Sequence, residues 1–255
     1  MKIAIYGDSW GSLGLDQPHS YLSWPEILSN QPGTEVTNFS VIGSSLYYSY
    51  KEFIKNHKFY DINIFLITST GRMYVNSMPE YYDLAKHVSG LANVLERKEF
   101  TKKLTYIDKS IKEQIEKLNE ALELYYVYLH NDEQDSDVYN ALLHHAKSIT
   151  TNTIFIPCFK QPNQSSLLDI YEMENRVIGA SEKYFLKGIE MNSIVDGKRL
   201  RDNRICHLTK RNNEILAEKI INAINTKTMS IDLSITDFTE PTENVDEILV
   251  WKDFK

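Results

Sequence analysis

The run Ile62–Ile67 constrains this chain more than any other segment. It is almost wholly apolar over six residues. It is too short for a typical helix and lacks the alternation of a strand that keeps one face in water. Strands buried on both faces belong to parallel sheets that are covered by helices on each side. The flanking segments fit that architecture. Lys2–Tyr6 is a short apolar strand that ends in Gly-Asp-Ser, and Glu35–Phe39 reads as a second strand. Between them Tyr21–Leu28 is amphipathic, with Pro25 in its first turn, where a missing N–H is tolerated. Gln31-Pro32-Gly33 is a turn signal. Leu46–His57 reads as a helix, Thr153–Pro157 as a further strand, and a helix is expected near Leu167–Val177. Leu208–Asn225 closes the pattern as an amphipathic helix with Ile215, Leu216, Ile220, Ile221 and Ile224 inward.

Strand, loop and helix therefore alternate with short connections, which predicts a three-layer α/β/α fold, a flavodoxin-like doubly wound parallel sheet. Residues 79–150 break the rhythm. Phe100, Leu104, Ile107, Ile111, Ile115, Leu118, Leu122, Tyr125 and Leu129 recur at spacings of three or four. That pattern predicts one long amphipathic helix over 97–130, with a second over Ser136–Ser148. Together they read as an inserted helical hairpin, either an ordinary layer on the core or a lid or self-association arm. The expected organisation is one domain over 1–225, with 79–150 inserted in it, and an acidic tail over 226–255.

Composition excludes some functions. The net charge is -7, and Lys and Arg form no long stripe. A phosphate-tracking groove needs clustered cations for counterion release, so nucleic acid is not an expected partner. Two distant cysteines, Cys158 and Cys206, make no disulfide framework. The apolar run Ile3–Tyr6 stops at Gly7, too short for a secretory h-region, and no stretch approaches the roughly 18 apolar residues of a membrane span. The expectation is a cytoplasmic protein without membrane contact, virion association being the alternative setting.

Chemistry is expected at the carboxyl ends of the strands, where open α/β sheets form their crevice. Ser9 stands directly after the first strand, and Gly7 permits a tight exit. A serine hydroxyl is a weak nucleophile until a base takes its proton. Of seven histidines, His207 is the one placed before the closing helix near that same edge, with Thr209 as a plausible N-cap and Asp202 five residues upstream. His144 and His145 are adjacent and face different ways, so they do not form a metal pair. Neither a metal nor a cofactor is called for.

Gly7-Asp8-Ser9, then Asn38-Phe39-Ser40-Val41-Ile42-Gly43 after the second strand, and Asp202…His207 before the last helix resemble the SGNH, or GDSL-type, hydrolases. The resemblance implies that Ser9 is the nucleophile, that Gly43 lends its backbone N–H to an oxyanion hole, and that Asp202 and His207 complete the triad. The family's third block, Gly-x-Asn, is replaced by Thr68-Ser69-Thr70-Gly71-Arg72. Here the donors on offer are the hydroxyls of Ser69 or Thr70 and the cation of Arg72. Thr70 is taken for the oxyanion hole beside Ser9 and Gly43; Ser69, Arg72 and Trp10 are taken for substrate contact. The position three residues before His207, where the family keeps its Asp, is Arg204, so Asp202 or a backbone carbonyl must orient the imidazole.

Two functional readings stand at this point. One is a serine ester hydrolase working through an acyl-enzyme on a small-molecule or carbohydrate ester, an O-acetylated sugar among them. The other is a catalytically weak or inactive binding or structural protein of the same fold, a component of a viral or other assembly, with self-association through the 97–130 helix. A phosphate-cradling role for Thr68–Gly71 is disfavoured, because flavodoxins carry that loop after the first strand. The Asn38-Phe39-Ser40 glycosylation pattern is read as chance, and Cys206 as structural.

Overall fold

The computed structural model describes residues 1–8, 10–11, 22–41, 43–68, 72–74, 87–89, 94–95, 98, 101–102, 108–158 and 210–231. Four parallel strands form its centre: β1 (Lys2–Tyr6), β2 (Glu35–Asn38), β3 (Ile62–Ile67) and β6 (Thr153–Pro157), in the order β2-β1-β3-β6. Ile3 pairs with Val36 on one side and Ile62 on the other, and Ile64 pairs with Ile154. All six residues of β3 are buried, as its apolar run requires. The doubly wound α/β architecture expected from the sequence is present.

The strand order dictates where the helices lie. The chain moves from β1 outward to β2, then back across β1 to β3. Right-handed crossovers put those two connections on opposite faces. The first is α1 (Trp24–Ser29), which packs against α5 (Lys210–Thr226). The second is α2 (Leu46–Asn56), which packs against α4 (Asp132–Ser148). Tyr6 meets the Phe53 ring of α2 edge-on at 5.4 Å, and Phe53 meets Phe65 of β3 the same way, also at 5.4 Å. With a side-chain period of two, Ala4 and Tyr6 face α2, while Ile3 and Ile5 face α1 and α5. Burial pushes the Tyr6 hydroxyl far above its usual range, and that hydroxyl donates to Asn63 Oδ1 at 3.2 Å.

Caps set the helix starts. Ser23 precedes α1, and the Glu26 carboxylate accepts from both the backbone N–H and the hydroxyl of Ser23 at 2.6 Å, a version of the capping box. The helix therefore begins at Trp24, later than the expected Tyr21. Ser45 caps α2 by accepting from Tyr48 N–H at 3.3 Å. The second strand ends at Asn38 rather than Phe39, and α2 ends at Asn56 with a 3-10 turn over His57–Phe59.

The single helix expected over 97–130 is interrupted. Asp108 has extended backbone (φ −55°, ψ 139°) and caps α3 (Lys109–Tyr128) by accepting from Ser110 N–H at 2.8 Å. Periodicity continues through such a break, because cap and helix can carry one apolar seam across it. The second helix starts earlier than Ser136, since Asn131 Oδ1 accepts from Glu133 and Gln134 N–H groups at 3.0 Å. The sequence reading had no counterpart for a small antiparallel ribbon, β4 (Arg72–Tyr74) with β5 (His87–Ser89). Three-residue strands carry too few positions for a period to be read.

The two hairpin helices differ in kind. Tyr139, Leu143 and Ala146 of α4 belong to the main core, so α4 fills the crossover between β3 and β6 as an ordinary layer. Helix α3 packs instead into a satellite cluster of Val94 and Leu122, against which Met73 of β4, Leu118 and Tyr126 pack. Beyond α5, Ile231 is buried in the main core, so the chain stays on the domain past residue 225. The helix expected near Leu167–Val177 lies outside the described residues. Among the described residues no helix is long and apolar enough to cross a membrane.

Phe53 joins β1, β3 and α2 in one contact set. Phe53→Ala is expected to lower stability by about 3–5 kcal/mol, read as a lower urea midpoint with an unchanged slope. A loss under about 1 kcal/mol would contradict this packing.

Candidate active site

Strand order reverses between β1 and β3, so the loops that leave these two strands diverge and open a crevice at their carboxyl ends. The residues that flank Ser9 are held there by four sets of bonds. Asp8 is fully buried. Its Oδ1 accepts from Trp10 N–H at 3.1 Å, and its carbonyl accepts from Gly11 N–H at 3.0 Å. Together these close a tight turn over 8–11 in the manner of an Asx turn. The side chain of Asn38 donates to the Gly11 carbonyl. Trp24 Nε1 of α1 donates to the Trp10 carbonyl at 2.7 Å.

Gly7 is required by packing. A Cβ placed on it would lie 2.6 Å from the Cβ of Leu66, so strands β1 and β3 approach too closely there for any side chain. The Gly7 carbonyl accepts from Val41 N–H at 3.0 Å and from the Ser44 hydroxyl at 2.7 Å. These two bonds lock the loop after β2 onto the loop after β1. Within that second loop, Ser44 N–H returns to the Val41 carbonyl at 2.9 Å. Gly43 is the third residue of the resulting turn, with φ +73°. A type II turn needs positive φ at that place, which favours glycine. The first two blocks of the sequence motif are thus interlocked in space.

The third block answers differently from the motif. Arg72 lies at the start of β4, not within a loop. Its Nη1 forms an ion pair with Asp8 Oδ2, donates to Thr68 Oγ1 at 2.8 Å and reaches the Ser44 carbonyl at 3.4 Å. Thr68 Oγ1 in turn donates to the same Asp8 oxygen at 2.9 Å. Asp8, Ser44, Thr68 and Arg72 therefore form one charged network, buried but for part of the arginine, that joins the chain beyond the ends of β1, β2 and β3. Sequence reading missed Asp8. The one available signal was an acidic residue inside an apolar strand end, with an arginine in the corresponding block.

Trp10, expected to touch substrate, is 6 % exposed and part of the main core, so packing accounts for the side chain. Cys158 follows β6 at this same edge. Burial pushes its thiol well up, nearby Asp8 adds to the effect, and Arg72 partly opposes it; a thiol so placed stays protonated and inert. Ser9, Ser69, Thr70, Asp202 and His207 lie outside the described residues. Of the site residues read from sequence, Gly43, Arg72 and Trp10 are described.

No family model matches the chain, and neither does any curated protein. Similar solved structures include the acetyl xylan esterase AlAXEase, at 10 % identity and TM-score 0.32 over 88 % of this chain and all of that one. Another is a catalytic mutant of the acetylxylan esterase Axe2 from Geobacillus stearothermophilus, at 12 % identity and TM-score 0.31 over 88 % of this chain and 93 % of that one. At these values the likeness decides neither family nor chemistry.

Because Asp8 has no water to fall back on, removing its cation leaves a buried charge uncompensated. Arg72→Met is expected to cost about 3–5 kcal/mol in chemical denaturation. Adding Asp8→Asn to Arg72→Met is expected to recover part of that loss. A single-variant loss below about 1 kcal/mol would mean the pair is solvated.

Proposed function

We propose that this chain is a serine ester hydrolase that works through an acyl-enzyme. The observation that carries the reading is the double hold on the Gly7 carbonyl by Val41 and Ser44. It ties the loop that carries Gly43, itself at φ +73°, to the exit of β1 at the sheet's switch point. The resemblance of the three sequence blocks to SGNH hydrolases supports the same assignment.

In the proposed mechanism the His207 imidazole takes the Ser9 hydroxyl proton as Oγ attacks the ester carbonyl. Asp202 orients the imidazole and stabilises its charged form. The backbone N–H groups of Ser9 and Gly43, with the Thr70 hydroxyl, hold the oxyanion. The protonated imidazole then gives its proton to the leaving alcohol. In the second half, water loses a proton to His207, attacks the acyl carbon and releases the acid, and Ser9 is restored. Preorganised donors of this kind are worth about a hundredfold or more each in rate. The proposed substrate is an acetyl ester, an O-acetylated sugar being the natural one to try first. Ser69 would sit nearest the bound ester.

One observation favours a second reading, a binding protein of the same fold without turnover. Arg72 Nη1 is committed to Asp8, Thr68 and Ser44, which takes from the oxyanion one donor that could replace the absent Asn.

The purified protein is expected to hydrolyse p-nitrophenyl acetate and to take a fluorophosphonate adduct on Ser9. Ser9→Ala and His207→Ala should each remove both signals. Turnover that persists in Ser9→Ala would sink the mechanism. No adduct on Ser9 in a folded protein would favour the binding reading.

A further inference from the structure

We infer that Tyr139 is a positioning residue for the turn that follows β1, acting through Arg72, so that the helical hairpin helps set the geometry of the site. The inference rests on the esterase reading for its catalytic consequence, but its structural half stands apart from that reading.

The physical path is short. Strand β4 is gripped by both hairpin helices. The Tyr139 hydroxyl of α4 donates to the Arg72 carbonyl at 3.0 Å, and the backbone of Leu46, first residue of α2, lies within hydrogen-bonding reach of the same hydroxyl. One residue on, Met73 packs into the α3 cluster of Leu118 and Leu122. The carbonyl of Arg72 is thus fixed from α4 and its neighbour's side chain from α3. The guanidinium, at the other end of the same residue, is bonded to Asp8, and Asp8 Oδ1 holds the amide of Trp10 across Ser9. A buried ion pair tolerates little displacement, because its partners have no solvent to replace lost bonds. A shift of the Arg72 backbone is therefore passed to the turn 8–11. Tyr139 is buried, and burial, with Asp135 nearby, holds its hydroxyl protonated, so it remains a donor across the working pH range.

The decisive measurement is residue-resolved amide hydrogen exchange on Tyr139→Phe, which keeps the ring and removes the hydroxyl. Exchange at the Trp10 and Gly11 amides is expected to accelerate about threefold to tenfold, the worth of one net hydrogen bond, while the amides of β1 keep their rates. Tyr50→Phe is the control. Its hydroxyl meets His145 Nδ1 at 2.6 Å, so this variant loosens α4 from α2 without touching Arg72, and Trp10 and Gly11 should not respond. In turnover of p-nitrophenyl acetate, Tyr139→Phe should lower kcat about tenfold with KM within about twofold, as expected for misplacement and not for lost binding. Met73→Ala, which frees the same strand from α3, should move both readouts in the same direction and serves if Tyr139→Phe does not fold. Unchanged exchange at Trp10 and Gly11 overturns the inference. So does equal acceleration in Tyr50→Phe, which would mean general loosening of the hairpin, or faster exchange with unaltered kcat. If hydrolysis survives Ser9→Ala, the esterase reading fails instead, and the exchange result still decides whether Tyr139 holds the turn.

Discussion

The buried ion pair between Asp8 and Arg72 is the constraint on which the rest of this structure hangs. A carboxylate with no exposure, at the end of a central strand, is costly unless it is paired and fully hydrogen-bonded. Here every bond is supplied by a different part of the chain: Trp10 from the same turn, Thr68 from the end of β3, Arg72 from β4. Ser44, from the loop after β2, joins through its carbonyl to Arg72 and through its hydroxyl to Gly7. The charge is satisfied where the ends of β1 and β3 meet the start of β4. Gly7 enforces the same condition sterically, since only a residue without Cβ fits against Leu66.

That network stands where the sequence resemblance calls for Gly-x-Asn. In its place the chain presents Thr68 and Arg72, which point their donors at Asp8. The loop ends are thereby crosslinked beneath the crevice by electrostatics. The residues flanking Ser9 are held from below by a charge, from one side by Asn38 and from the other by the indole of Trp24. Preorganisation of this kind fixes the loop ends around the crevice before anything binds there.

Much of the sheet was legible in the sequence, for identifiable reasons. Ile62–Ile67 is apolar because both its faces are covered, and Thr153–Pro157 has the same cause. Gly43 was singled out through the resemblance of its block to a known motif, and its φ of +73° supplies the physical reason for a glycine there. What escaped was set by tertiary contact. The ribbon β4–β5 is too short to carry a period, and the break at Asp108 lies inside an uninterrupted apolar seam, visible only as a cap. Trp10 looked like a substrate contact because it follows Ser9, yet the turn folds its ring inward. The Asp8–Arg72 pair joins residues 64 apart in the chain, and no local pattern encodes such a pairing.

The position of α4 changes what the 79–150 segment is. Two neighbouring parallel strands cannot be joined by a tight turn, since the chain must travel the full length of the sheet to start again at the same end. Between β3 and β6 that return journey is made by α4, whose Leu143 and Ala146 line the core. Among the described residues, α3 with its satellite cluster and the β4–β5 ribbon are additions to that path. The two helices of the segment therefore do different work: the inner one is as much a part of the domain's wall as α2, whereas the outer one meets the domain through Met73 of β4. A relative of this chain that lost α4 would lose with it the return path between β3 and β6.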